Sequence, residues 1–194
     1  AFGPQIPFLF AAGAAFLTVL LTHFTLEETL SPEERLRNKQ TKSRDMNPLE
    51  MMTNVPLVAV LSVTFIAQFG FGLLIGVFAL YSEAVILVGY DESTLNLAIG
   101  LLFGVFGVGQ LVTQIFVLPR ALKHYTDPMI VVIGLALRAV SMFLYFIAVG
   151  PYMAAAGSIF FALGSGLMMP PLQSLSTKTV SPELKGGILG VYQS

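Results

Sequence analysis

The chain of 194 residues is 55 % hydrophobic and only 11 % charged, against about a quarter charged in soluble globular domains, which excludes both an ordinary soluble domain and a disordered segment. Ten Lys+Arg against eleven Asp+Glu leave a net charge of -1, so the basic excess that nucleic-acid binding needs is absent. Cysteine is missing and the two histidines are His23 and His124, which removes disulfide frameworks, thiolate chemistry and His-based metal sites.

The uncharged runs are long enough to cross roughly 30 Å of hydrocarbon, for which about 20 mainly apolar residues are needed. The first spans Pro7 to His23. No basic n-region or cleavage signal precedes it, so it is not a signal peptide, and a start at Ala1 reads as part of a longer chain. Buried helices of a large soluble core are the alternative, but these usually keep a polar face, and here charge is nearly absent on every side. After the first run comes the polar stretch Phe24 to Asn54, with Arg35, Arg37, Lys39, Lys42 and Arg44. Ser31-Pro32-Glu33-Glu34 places Ser at an N-cap, Pro in the first turn and Glu at the third position, the start of a short surface helix. This stretch reads as a linker between membrane domains, either solvated or resting on anionic headgroups.

A second run covers Val55 to Tyr81 and carries Phe65, Gln68, Phe69, Gly72 and Gly76. The loop from Ser82 to Thr94 has no Lys or Arg but holds Glu83, Asp91 and Glu92. On the third run, Leu95 to Leu118, Asn96, Gly100, Phe103, Gly107, Gln110 and Gln114 recur at helical steps and form one stripe. Amides are costly against lipid, and glycines let another backbone approach. The stripe is therefore either a packing seam or the wall of a water-filled path. Arg120 and Lys123 follow it in a loop from Pro119 to Pro128.

The fourth run, Met129 to Val149, places Asp127, Val131, Gly134, Arg138, Ser141 and Tyr145 on one face. Arg138 lies roughly 14 Å into the bilayer, counted from Met129 at 1.5 Å per residue, and must face protein or water. An ionisable group at that depth is a functional candidate; the alternative is an Arg bonded to helix carbonyls or a neighbouring amide, with Gln110 and Gln114 as candidate partners. Past the tight Gly150-Pro151 turn, the fifth run, Tyr152 to Leu172, is rich in Gly and ends on Met168-Met169-Pro170-Pro171, where a kink or helix end is expected. A sixth begins near Gly187, behind Lys178 and Lys185.

All basic residues but Arg138 fall in alternate connections. Since Lys and Arg gather on the cytoplasmic side, Phe24–Asn54, Pro119–Pro128 and Gln173–Gly186 are expected to be cytoplasmic loops of a multi-pass protein in the cell (plasma or inner) membrane. No nucleophile elbow, phosphate loop or metal-ligand spacing is present, and Gly164-Ser165-Gly166 lies within a span, so neither an enzyme nor a cofactor is expected.

Three junctions resemble the major facilitator superfamily, in the drug:proton antiporter branch that includes tetracycline efflux proteins. Phe24, Glu28, Thr29, Leu30, Pro32, Glu33 and Arg35 look like the exit from that branch's sixth helix, with Leu26-Glu27 where Leu-Pro is usual. Gly109-Gln110, Gln114, Pro119, Arg120, Lys123 and Asp127 look like the eighth helix and its basic loop. Pro170-Pro171, Gln173, Ser176, Val180, Glu183, Lys185-Gly186-Gly187 and Gly190 resemble the turn from helix ten into eleven.

The resemblance implies an all-α membrane protein with a polytopic helix bundle, about half of a twelve-helix transporter. Residues 1–24 would be the sixth helix, 25–54 the inter-domain loop, and 55–194 helices seven to ten with the start of eleven. It implies proton-coupled efflux of small amphipathic molecules by alternating access, with a bilayer, protons, a small-molecule substrate and an N-terminal half as partners. A symporter or uniporter, or a non-transporting receptor or scaffold on the same fold, is the alternative. Phe65, Gln68, Phe69, Asn96, Gln110, Gln114 and Arg138 are the expected path residues, and Arg120, Lys123 and Asp127 the expected cytoplasmic gate.

Overall fold

The computed structural model describes residues 12, 13, 15–20, 24, 52–180 and 188, all but a few of them helical. The chain divides into two units, Ala1–Arg44 and Asp45–Ser194. In the first, the described residues are helical, and Phe16, Leu17, Val19 and Phe24 are exposed. The polar stretch from 25 to 51 lies outside the described residues, and with it the surface helix expected at Ser31.

In the second unit, α1 (Val55–Tyr81) starts at Asn54, whose side chain accepts a hydrogen bond from the Leu57 N–H, with a proline in the first turn. It continues through a π-helical turn, Ser82–Ile86. A short connection follows, in which Gly89 takes φ +86°, a left-handed conformation that glycine adopts without steric cost. Asp91 then caps α2 (Glu92–Val112) by accepting from the Thr94 N–H. A second π-helical turn, Thr113–Val117, leads into α3 (Leu118–His124). The last rods are α4 (Asp127–Phe146) and α5 (Pro151–Lys178).

Four apolar stretches are long enough to cross a membrane: Val55–Ile86, Glu92–His124, Asp127–Phe146 and Pro151–Lys178. Even the shortest, with 20 residues, reaches about 30 Å at 1.5 Å per residue. Their outer faces are apolar too: Ile66, Leu73, Leu97, Leu101, Val108 and Leu111 are all exposed. That surface needs lipid, not water. The described part of the protein is a polytopic helical membrane bundle.

The bundle is organised around α5, which buries residues on every side from Ala154 to Ser176. Its contact with α4 is the most extensive between the described helices and rests on missing side chains. A Cβ on Gly164 would lie 2.6 Å from the Gly134 carbonyl oxygen, and one on Gly134 would lie 2.7 Å from that of Gly164. On the α2 side, a Cβ on Gly109 would meet that of Ala162 at 2.8 Å, and one on Gly166 would meet that of Thr113 at 2.6 Å. Without a hydrophobic force between helices in lipid, such close approach supplies the attraction. Helix α1 turns Leu57, Thr64, Ala67 and Phe78 inward, whereas α2 buries Leu102 alone.

Several expected loops are helical. The connection expected from Ser82 to Thr94 shortens because the π-helical turn carries α1 to Ile86 and α2 begins at Glu92. That expected from Pro119 to Pro128 reduces to Tyr125 and Thr126: the π-helical turn, closed by the Leu118 N–H on the Thr113 carbonyl, carries the helix past Pro119, and Pro128 sits in the first turn of α4, where no intrahelical N–H is missed. Nor does Pro170-Pro171 end the last rod, which runs on to Lys178, so Gln173 to Lys178 is helix rather than loop. Pro171 and Leu172 are buried, and packing on neighbouring helices offsets the lost backbone bonds. The remainder of that expected loop, 181–186, lies outside the described residues.

Candidate functional site

The face predicted on α4 is the face the structure buries: Val131, Gly134, Arg138, Ser141 and Tyr145 all turn inward, together with Ile130. A 3.6-residue helix brings them into one line, and α5 lies against that line. Ser141 donates to the Gly157 carbonyl at 2.8 Å, and the Tyr145 and Ser158 hydroxyls are 2.9 Å apart. A Cβ at Gly157 would sit 2.9 Å from the Tyr145 ring, so glycine there makes room for the aromatic. Tyr81 from α1 donates to the Tyr145 carbonyl at 3.1 Å.

Arg138 is about 17 Å from the start of α4 at 1.5 Å per residue and only 7 % exposed. Its Nη2 donates to the Ala67 carbonyl on α1 at 2.9 Å, not to Gln110 or Gln114. The guanidinium carbon lies 4.7 Å from the Phe161 ring centroid and 6.0 Å from that of Phe71, within cation–π range. Gly164 makes space for the arginine stem, since a Cβ there would be 2.8 Å from the Arg138 Cγ. Carbonyl and ring faces thus take the place of the expected amides: α1 approaches Arg138 backbone first.

Beside this arginine is a small recess of about 20 Å³, room for about one water, between α1, α2, α4 and α5, walled by Phe71, Phe78, Phe103, Phe106 and Phe161 with Tyr145 and Ser158. Its rings interlock: Phe71 stacks on Phe161 at 5.5 Å, Phe106 meets Phe161 edge to face at 5.2 Å, and Phe78 does the same with both Phe103 and Tyr145 at 5.2 Å. These are favourable aromatic geometries. Sequence reasoning put the aromatic wall at Phe65 and Phe69, which the structure leaves 69 % and 59 % exposed and stacked on one another. The signal that would have found the recess is the pair Phe71 and Phe78, seven residues and two helical turns apart, on the same side as the buried Ala67.

Of the other expected path residues, Gln68 and Asn96 are exposed, and Gln110 and Gln114 are half-buried on α2 and its π-helical turn. The structure does not bring them together around Arg138. The glycines of that stripe, Gly100 and Gly107, have no neighbour within 4 Å of an added Cβ, nor has Gly104 on the same helix; the close approach comes at Gly109 and Gly166 instead.

At the opposite end of the bundle from Glu83, Asp91 and Glu92, the expected gate residues separate. Arg120 donates to the Phe116 carbonyl of its own chain segment, and Lys123 is exposed. Asp127 pairs instead with Lys178 at 2.5 Å and accepts from Ser174 at 3.2 Å, which fastens the start of α4 to the end of α5. Next to it, the Asn54 amide donates to the Thr179 carbonyl at 2.9 Å, so one side chain caps α1 and clasps it to α5. Outside the spans, hydrogen bonds from Ser93 and Thr94 hold the Asp91 carboxyl well below the usual carboxylate range. Among the described residues no three His, Cys, Asp or Glu side chains are grouped to hold a metal ion.

The Major Facilitator Superfamily model matches residues 1–194. The chain belongs to that superfamily. Neither the curated proteins nor the solved structures contain a match. Membership of the Major Facilitator Superfamily together with the apolar rods makes this a multi-pass membrane transporter for small molecules in a lipid bilayer. Superfamily proteins are in general transporters and not enzymes.

Proposed function

We propose that the protein exports small amphipathic molecules from the cell in exchange for protons, by alternating access, as a member of the drug:proton antiporter branch. The observation that carries this reading is a buried mid-helix Arg138 next to an aromatic recess open between helices. Ionisable groups are costly at that depth and are retained for function; the ring faces beside it, with the Tyr145 and Ser158 hydroxyls, offer an apolar surface with a polar edge to an amphipathic ligand once the helices part. The branch itself rests on the resemblance of the three junctions, which also casts the described bundle as helices seven to ten of a C-terminal half working against an N-terminal one.

Inward movement of a proton supplies about 1.4 kcal/mol per pH unit plus about 2.3 kcal/mol per 100 mV. The described carboxylates Glu83, Asp91, Glu92 and Asp127 all lie at rod ends, so on this reading the proton is carried by a carboxylate beyond residues 52–180. The end bearing Arg120, Lys123 and Lys178 faces the cytoplasm of the cell membrane, following the charge rule.

The test is accumulation of tetracycline and a panel of amphipathic dyes in energised cells expressing the full-length transporter. Efflux is expected to lower accumulation saturably, and a protonophore to restore it to the level of non-expressing cells. Protonophore-insensitive flux would contradict proton coupling, and ligand binding with no flux would indicate a receptor.

A further inference from the structure

We infer that α3 is a crank: during alternating access it swings about the π-helical turn Thr113–Val117 while α2, α4 and α5 hold still. The inference rests on the alternating-access reading and names a segment that moves. An extra residue in a helical turn widens it and interrupts the ladder of backbone bonds, and such turns recur at functional sites and at kinks. The cause here lies in the sequence. Pro119 has no N–H to offer the Ile115 carbonyl, and its ring would crowd that carbonyl in a regular helix; the wider turn, closed by the Leu118 N–H on the Thr113 carbonyl, relieves the clash. Side chains supply further bonds around it: the Thr113 hydroxyl donates to the Gly109 carbonyl at 2.7 Å, and the Arg120 guanidinium donates to the Phe116 carbonyl.

The two sides of the turn are held differently. On the α2 side the contact with α5 is close to the backbone: a Cβ on Gly166 would lie 2.6 Å from the Thr113 Cβ and 3.1 Å from the Gln110 carbonyl oxygen, and one on Gly109 would lie 2.8 Å from the Ala162 Cβ. Surfaces interlocked that tightly do not slide. On the α3 side the contact is made of apolar side chains, Leu118 against Ile130 and Leu167 with Ala121 beside them, and packed helices of this kind shear past one another by small steps. At its far end α3 meets α4 through Tyr125 and Thr126, and the start of α4 is fastened to α5 by Asp127 on Lys178 and Ser174. A rod of 7 residues is thus strung between a widened turn and a short link, and the chain beyond each is anchored on α5.

Nitroxide labels measure the swing in the full-length protein in lipid nanodiscs, with any cysteine outside this sequence replaced by serine. One pair joins Lys123→Cys on α3 to Val55→Cys at the start of α1, which Asn54 clasps to α5. A control pair joins Leu101→Cys on α2 to Tyr152→Cys on α5, and all four positions are exposed. Double electron–electron resonance reads both pairs in acidic and in alkaline buffer, each with and without tetracycline. The α3 pair should shift by about 3 Å or more between conditions, the sweep of a roughly 10 Å rod through about 20°, while the control pair stays put. Pro119→Ala, which restores the N–H and favours regular helix, should abolish both the shift and tetracycline efflux. Pro119→Gly, which restores the N–H but keeps the turn pliable, should retain both. An α3 pair that moves in none of these conditions, a control pair that moves as far, or a shift indifferent to Pro119→Ala overturns the inference. Protonophore-sensitive efflux with an immobile α3 pair would leave the transporter reading standing and remove the crank; a shift abolished by Pro119→Ala in a protein without flux would do the reverse.

Discussion

Two glycines of identical composition and different surroundings separate packing from propensity. Gly164 has the Gly134 carbonyl and the Arg138 backbone nitrogen in the space a Cβ would fill, at 2.6 and 2.9 Å, and backbone atoms do not step aside cheaply. Gly164→Ala is expected to destabilise by about 1 to 3 kcal/mol, the range for overpacking. Gly100→Ala meets nothing and should be neutral or stabilise by up to about 1 kcal/mol, the helix propensity gain. Thermal unfolding of both variants in detergent tests the pair. A second contrast concerns Arg138: replacing it by Leu deletes a buried charge whose acceptor, the Ala67 carbonyl, keeps its own helix bond, so the fold should survive at equal or greater stability while transport is lost. The arginine and its buried line on α4 were legible because five inward residues repeat at helical spacing. Its partner was not, since nothing in a sequence says that a neighbouring helix will present a backbone carbonyl in place of an amide side chain.

Helix ends carry the next set of effects. Asn54 both caps α1 and donates to the Thr179 carbonyl; Asn54→Ala should cost about 1 to 2 kcal/mol, the combined scale of a cap and a hydrogen bond. The partly exposed Asp127–Lys178 pair should contribute less, about 0.2 to 1 kcal/mol in a double-mutant cycle. At the other end, hydrogen bonds from Ser93 and Thr94 depress the Asp91 carboxyl. A depressed acid stabilises fully above its unfolded pKa, about 3.9, and loses that contribution only as pH falls through its lower folded value. Amide exchange at Thr94 should therefore stay protected down to pH 4 and rise only in stronger acid; a rise already near pH 5 would contradict the cap. Spans were readable at this scale from length and hydropathy, with α1 agreeing at both ends, Val55 and Tyr81. Loops were overestimated, because first-turn prolines and the π-helical turns carry helix past points where composition suggests a break. On α2, glycine and amide spacing marks a face, but the complementary Ala162 and Gly166 that fix where α2 packs on α5 belong to another helix.

At the scale of the described bundle, the outside is large and apolar, unlike a soluble protein's outer surface, and the inside mixes apolar side chains such as Ile130, Phe161 and Leu172 with small polar ones such as Ser141 and Ser158. That distribution follows from solvent: lipid costs nothing to face with Leu, Ile and Phe, whereas Ser141, Ser158 and Arg138 must find partners within the protein. The class of fold was visible in composition alone. A recess whose rings come from positions as far apart as Phe71, Phe103 and Phe161 was not, because only tertiary packing brings them to within about one ring of each other. Basic residues collect at the end where α3, α4 and α5 place Arg120, Lys123 and Lys178, and acidic ones at the end with Glu83, Asp91 and Glu92. Because the sequence has no cysteine, single cysteines introduced into it report their compartment without competition from it. Labelling intact cells with a membrane-impermeant maleimide tests the transmembrane account most directly: Glu92→Cys is predicted to react at once and Lys123→Cys only after permeabilisation. Reaction of both cysteines, or of neither, in intact cells would contradict it.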